Sequence, residues 1–325
     1  MSKTQVCLFL MSFVLVTACG EEEDPNAIDI TNATFSSLDP SCADHVGSFK
    51  SSVRDVARDV TFAGRVSMTA EGGLCTMTSN SIPNHDFNDG AAAFVNSSAE
   101  VTKSFTLPAS PSAAGTETTL GLRYDDGIFL NGVKLDLLAA ACYGVGNAAL
   151  GQEKVGCMDV NQPFRYDPMS PLNTFGTDTH NAHTQPGGEY HYHGDPRAMY
   201  EDSESDGASP VIGFAADGFP IFGPFFEDDS GVVRRATSSY QLKSGVRAAQ
   251  NFGGSTYDPS GAGGAFTGEE YNGRFRDDYA YEAGSGDLDA CNGMTVNGNY
   301  GYYITNSFPW VIGCFKGALD DSFRK

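Results

Sequence analysis

The chain has 325 residues, 40% of them apolar, and carries 41 acidic against 20 basic side chains, a formal net charge of −21. A surface this acidic repels phosphate backbones and anionic lipid headgroups, which excludes nucleic acid as a partner. The apolar content is enough for one large domain or two close-packed ones, and 38 glycines point to a loop-rich architecture.

In chain order, Lys3 and the apolar run from Val6 to Thr17 form an export signal. The run is too short for a comfortable membrane span. It ends in Val16-Thr17-Ala18-Cys19, the pattern of a bacterial lipobox, where a diacylglycerol is attached to the cysteine and the chain is cut just before it. Residues 1–18 are therefore expected to be a lipoprotein signal peptide and Cys19 the lipidation site, with cleavage near Ala18 by an ordinary signal peptidase as the alternative. Gly20 stands where an Asp would favour retention in the inner membrane. The expected location is extracytoplasmic and lipid-anchored, on the outer membrane in a Gram-negative cell. Residues 19–35 are acidic and polar and read as a flexible tether. Residues 36–325 read as the folded unit.

With Cys7 in the signal and Cys19 lipidated, six cysteines remain. An even number in an oxidising compartment implies disulfides, and six allow fifteen pairings. The sequentially local set is expected: Cys42–Cys75, Cys142–Cys157 and Cys291–Cys314.

Strand signals dominate the rest. Ser51–Ala57 and Leu137–Ala141 are the candidate short helices. Val60–Thr69 is rich in β-branched residues. Thr118–Leu135 reads as a hairpin region with turns at Asp125-Asp126-Gly127 and Asn131-Gly132. Tyr190–His193 is a short strand entered through the Gly187-Gly188 turn. Pro210–Phe226 is two apolar runs broken at Asp217-Gly218. Gly253–Gly273 reads as a long surface loop, and Tyr300–Phe315 is a further aromatic run. The pattern predicts a mainly β fold, an irregular sandwich-like or mixed-sheet domain with long loops and few short helices. One internal echo stands out. Gly188–His193 (GEYHYH) resembles Gly298–Tyr303 (GNYGYY), with both histidine positions lost in the second copy.

The chemistry concentrates between Asp178 and Pro196, where Asp178, His180, His183, His191 and His193 gather. Side chains alternate along a strand, so His191 and His193 share one face and the two tyrosines the other. Imidazoles at i and i+2 have Cα atoms about 6–7 Å apart, close enough to converge on one ion. His183 and Asp178 lie upstream, and the Gly-Gly turn folds them back toward the strand. Among weaker candidates, His85 follows a Pro-Asn turn, and Asp217 is a lone acid in an apolar stretch that must be paired, metal-bound or in a turn.

These blocks resemble the bacterial YHYH domain family, whose tetrapeptide is Tyr190–His193 here. The matching segments are SIPNHDFNDG (81–90), FGTDTHNAHTQPGGEYHYHGDP (175–196), SPVIGFAADGFPIFGPF (209–225), LDACNG (288–293) and FPWVIGCFKG (308–317). The resemblance implies an exported bacterial domain and names no reaction. It raises the expectation that His85 belongs to the site and that His180 does not. The later block often reads YHYH-like in relatives and is YGYY here, so Gly301 and Tyr303 offer no imidazoles.

The expectation is a metal-binding domain in which His183, His191 and His193 bind a divalent transition metal (zinc, copper or iron), with Asp178 or His85 as a further ligand or supporting partner. An open position on such an ion would activate water, and Asp217 is the acid expected to orient it. The rival expectation is a non-catalytic surface module for a polymer or protein partner. The sequence names no substrate.

Overall fold

The computed structural model describes residues 24–325. The signal peptide and Cys19 lie outside the described residues. Strands dominate, and the helical elements among these residues are single 3-10 turns such as Cys42–His45 and Arg276–Asp278.

The first sheet has five strands in the order Ile28–Asp29, Gly47–Asp55, Val60–Glu71, Leu74–Ser79 and Lys103–Pro108. Its last four strands form an antiparallel meander. Val66 and Met68, Cys75 and Met77, and Phe105 and Leu107 are buried at every second position, so one face packs on the core. Part of the expected tether belongs to this sheet. Ile28–Asp29 pairs with the second strand, and the Ile30 side chain is buried.

The second sheet has eight strands, in the spatial order Gly293–Val296, Asn299–Tyr303, Pro220–Phe222, Val211–Ala215, Gly127–Phe129, Lys134–Leu135, Tyr190–Tyr192 and Ala182–Thr184. Its central strands are buried throughout and read as unbroken apolar runs, VIGFA and GIF, as strands covered on both faces do. Gly213 is required between them. A Cβ there would meet the Ile128 carbonyl oxygen at 2.8 Å.

This sheet is an internal repeat about a pseudo-twofold axis through the Ile128–Phe214 pair. Gly127 faces Ala215, and Gly213 faces Phe129 in the symmetric position. On each side a hairpin leads outward, to Lys134–Leu135 in one half and Pro220–Phe222 in the other. Each is joined by a parallel strand, Tyr190–Tyr192 or Asn299–Tyr303, and closed by that strand's antiparallel partner. The echo seen in the sequence is thus one part of a duplicated architecture.

The matched halves also share hydrogen bonds. Asp178 Oδ1 accepts the amides of His180 and Ala182, and Asp289 Oδ1 those of Cys291 and Gly293. Tyr190 donates to Asp178 Oδ2 at 2.8 Å, and Tyr300 to Asp289 Oδ2 at 3.2 Å. Asn181 and Asn292, each three residues after its Asp, take left-handed φ of 57° and 66°. Tyr192 accepts from Asn131 at 2.9 Å, and Tyr302 donates to Asp217 at 2.6 Å. Asn131-Gly132 and Asp217-Gly218 are therefore the same turn in the two copies.

The three expected disulfides are present, with Cα separations of 6.2, 5.6 and 4.3 Å. Both expected helices are absent. Ser51–Ala57 falls mostly in the Gly47–Asp55 strand, where Ser51, Val53 and Asp55 are buried on alternate positions. Leu137–Ala141 is an irregular, mostly buried segment whose Leu137 amide donates to Asp126 Oδ2 at 2.7 Å. Tertiary burial overrides weak helical propensity in both places. Asp125-Asp126-Gly127 leads into a strand and is not a turn. The segment read as the 253–273 surface loop contains a short strand, Ser255–Tyr257, paired with Gln250–Phe252.

Candidate metal centre

His183, His191 and His193 converge. His191 lies directly opposite His183 in the antiparallel pair, and His193 follows two residues on, so all three rings emerge on one face. One nitrogen from each lies within 4.8 Å of the others. The Nε2 atoms of His183 and His193 are 3.2 Å apart. Two nitrogens each about 2.0–2.1 Å from one ion at a tetrahedral angle would be about 3.3 Å apart. The ring centroids are separated by 4.7–4.8 Å, with interplanar angles of 68–86° that keep the rings from stacking.

The protonation of the trio favours lone pairs over charge. His183 Nδ1 lies 2.8 Å from the Phe175 carbonyl oxygen, which can only accept, so Nδ1 carries the proton and Nε2 keeps its lone pair, which accepts from His193 Nε2. Burial pushes the His183 imidazolium below its ordinary pKa. Burial, and then repulsion from the neighbouring rings, holds His191 and His193 well below it. The Nδ1 atoms of His191 and His193 are buried with no hydrogen-bond partner among the described residues. Three neutral imidazoles form a nitrogen-donor set of the kind that suits zinc, copper(II) or iron.

The other candidates fall elsewhere. Asp178 and His85 are on the tyrosine face. Asp178 is occupied by Tyr190 and by the amides of Asn88, His180 and Ala182, and burial raises its pKa. His85 Nε2 is 2.6 Å from the Tyr192 hydroxyl, and its Nδ1 lies 2.7 Å from the Asp86 carbonyl oxygen. Burial pushes the His85 pKa down to about 3. His180 stacks on His85 at 3.5 Å, away from the trio. The alternation that aligns the histidines sends these partners to the hydroxyls of the intervening tyrosines, so neither Asp178 nor His85 joins the ligand cluster. Asp217 lies in the other half of the sheet, bonded to Tyr302, Gly317 and Phe219, with its pKa raised by burial. It has the role of Asn131 in its own copy and is not brought to the histidines. A second grouping, Glu117 with Cys291 and Cys314, offers no thiolate because the two cysteines are bridged.

Sequence reasoning missed the charged residues beside the trio. Lys134, the register neighbour of His191, is buried with its ammonium 2.9 Å from Asp125 and 3.1 Å from Glu189. Burial opposes its charge, but the two carboxylates outweigh that and raise its pKa. Lys325 pairs with Asp136 and lies 3.5 Å from Asp125. Burial and the nearby Asp136 push Asp126 up to about 7. The signal available in the sequence was a lysine inside the apolar hairpin strand of GVKL.

Residues 104–317 match the model of a family described as YHYH protein. The match spans the whole eight-stranded sheet and leaves out His85 and most of the first sheet. No curated protein and no solved structure matches the chain.

Proposed function

The chain belongs to the YHYH protein family, and from that premise we propose that it is an extracytoplasmic metal-binding domain whose ligands are His183, His191 and His193. The observation that carries the reading is the convergence of three largely buried, neutral imidazoles from adjacent strands, with one nitrogen of each within 4.8 Å of the others. Without a cation the His183 and His193 Nε2 atoms share one hydrogen bond, 3.2 Å long, between two neutral rings. A divalent transition metal (zinc, copper or iron) would replace that single bond with a ligand bond from each of the three rings. The reading stops at binding. Asp217, the acid expected to activate water, belongs to the other half of the sheet, so nothing on the histidine face assigns hydrolysis.

The compartment agrees with this. Three disulfides fit an oxidising environment. Among the described residues no helix is long and apolar enough to cross a membrane. Attachment would run through a lipid on Cys19, to the outer membrane in a Gram-negative cell.

Equilibrium dialysis against Zn²⁺ followed by elemental analysis tests the proposal. One equivalent is expected in the wild type and none in His191→Ala. Equal uptake by the two proteins, or none by either, would overturn it.

A further inference from the structure

Resting on the histidine reading, we propose that Asp125, Asp126, Asp136 and Glu189, with Lys134 and Lys325, are an outer electrostatic shell that tunes the site to a divalent cation. Two independent observations carry this.

The first is the internal control supplied by the pseudo-twofold repeat. The residues that brace the scaffold recur in both copies: the Asp that caps its turn, the left-handed Asn and both tyrosines. The shell residues within the repeat do not recur. Matching through the register about Ile128 and Phe214, Asp125 and Asp126 become Val211 and Ile212, Lys134 becomes Pro220, and Asp136 becomes Phe222. Glu189 becomes Asn299. His183, His191 and His193 become Met294, Gly301 and Tyr303. Where one half sets Asp136 beside His193, the other stacks Phe222 on Tyr303 with ring centroids 5.1 Å apart. The fold is therefore built without the charged set, and that set is present in the half with the imidazoles and missing from the half without them.

The second observation is charge balance. Four carboxylates against two ammonium groups leave a negative excess beside three neutral imidazoles, of two charges when Asp126, pushed up to about 7, is ionised and of one when it is protonated. Glu189 Oε1 and Asp126 Oδ1 are buried with no partner among the described residues. Burying uncompensated charge is costly, and a divalent ion at the histidines supplies the missing compensation. Lys325 works in the opposite direction, since its ammonium repels a cation at His191 and His193.

The test measures Zn²⁺ and Ag⁺ affinity by competition with chelators, in the wild type, Asp126→Asn, Glu189→Gln and Lys325→Met. Losing an acid should weaken Zn²⁺ about 10–100-fold, the range for partners that do not touch the ion. Lys325→Met, at a partly exposed position that should tolerate the change, should tighten it. Coulomb energy scales with ionic charge, so each Ag⁺ shift should have the same sign and half the logarithm of the Zn²⁺ shift. Unchanged Zn²⁺ affinity in the acid variants, weakening in all three variants, or equal shifts for the two ions would overturn the proposal and leave the histidine site intact. A wild type that takes up no Zn²⁺ would overturn both.

Discussion

Across one half of the eight-stranded sheet a row of side chains reads Lys134, His191 and His183, while the same three positions in the other half are Pro220, Gly301 and Met294. One row back, on the opposite face, the halves agree. Tyr190 and Tyr300 reach the Asp that caps the preceding turn, and Tyr192 and Tyr302 reach Asn131 and Asp217 in the equivalent hairpin turns. The comparison separates two roles inside one tetrapeptide. The tyrosines of Tyr190–His193 are internal pins that any copy of this unit needs, because a buried hydroxyl requires a partner. The histidines are not needed for the fold, since Gly301 and Tyr303 fill their places in the second copy.

The largest expected break in this comparison is in metal affinity. His191→Ala should weaken Zn²⁺ binding by more than about 100-fold, beyond the range for residues that only support the ligands. Met294→Ala, at the position equivalent to His183, should leave it unchanged. Isothermal titration of the two variants measures the difference.

The pins should behave in the reverse way. Tyr302→Phe removes the hydroxyl that donates to buried Asp217, at an expected cost of about 1–3 kcal/mol in urea unfolding. Tyr192→Phe should cost less, because Asn131 and His85 lose a neutral partner and not a donor to a carboxylate. Neither should move the zinc affinity of the folded protein by as much as loss of a histidine.

A smaller effect concerns pH. His85 is held neutral when folded, with its pKa near 3, and titrates near 6.5 when unfolded. Between these values the unfolded chain binds more protons, so stability is complete above about pH 6.5 and falls as pH drops toward 3. The contribution is up to about 1.4 kcal/mol for each pH unit. His183, His191 and His193 add to the loss in the apo protein, since their pKa values are also lowered. In His85→Gln the slope of stability against pH should become shallower, and zinc binding measured at pH 7.5 should be unaffected.

What the sequence made legible follows from periodicity. The alternation in Tyr190–His193 puts two histidines on one face, and the Gly-Gly turn brings His183 back to them. The local cysteine pairing holds in all three bridges, which close loops of 33, 15 and 23 residues' separation. What could not be read was the partner of each isolated polar residue. Asp217 in an apolar run has the same appearance whether it serves a metal or a tyrosine, and its equivalence to Asn131 shows only when the two hairpins are paired in space. The family resemblance points to His85 and the shared loop to Asp178, but strand alternation sends their partners to the opposite face. Lys134 was invisible as a site residue because its acids come from Asp125 and Glu189, on two other segments.

X-ray absorption at the zinc edge of the zinc-loaded wild-type protein tests the central claim most directly. The account predicts three imidazole nitrogens in the first shell at about 2.0–2.1 Å. A first shell with sulfur, with fewer than three imidazoles or with oxygen alone would contradict it.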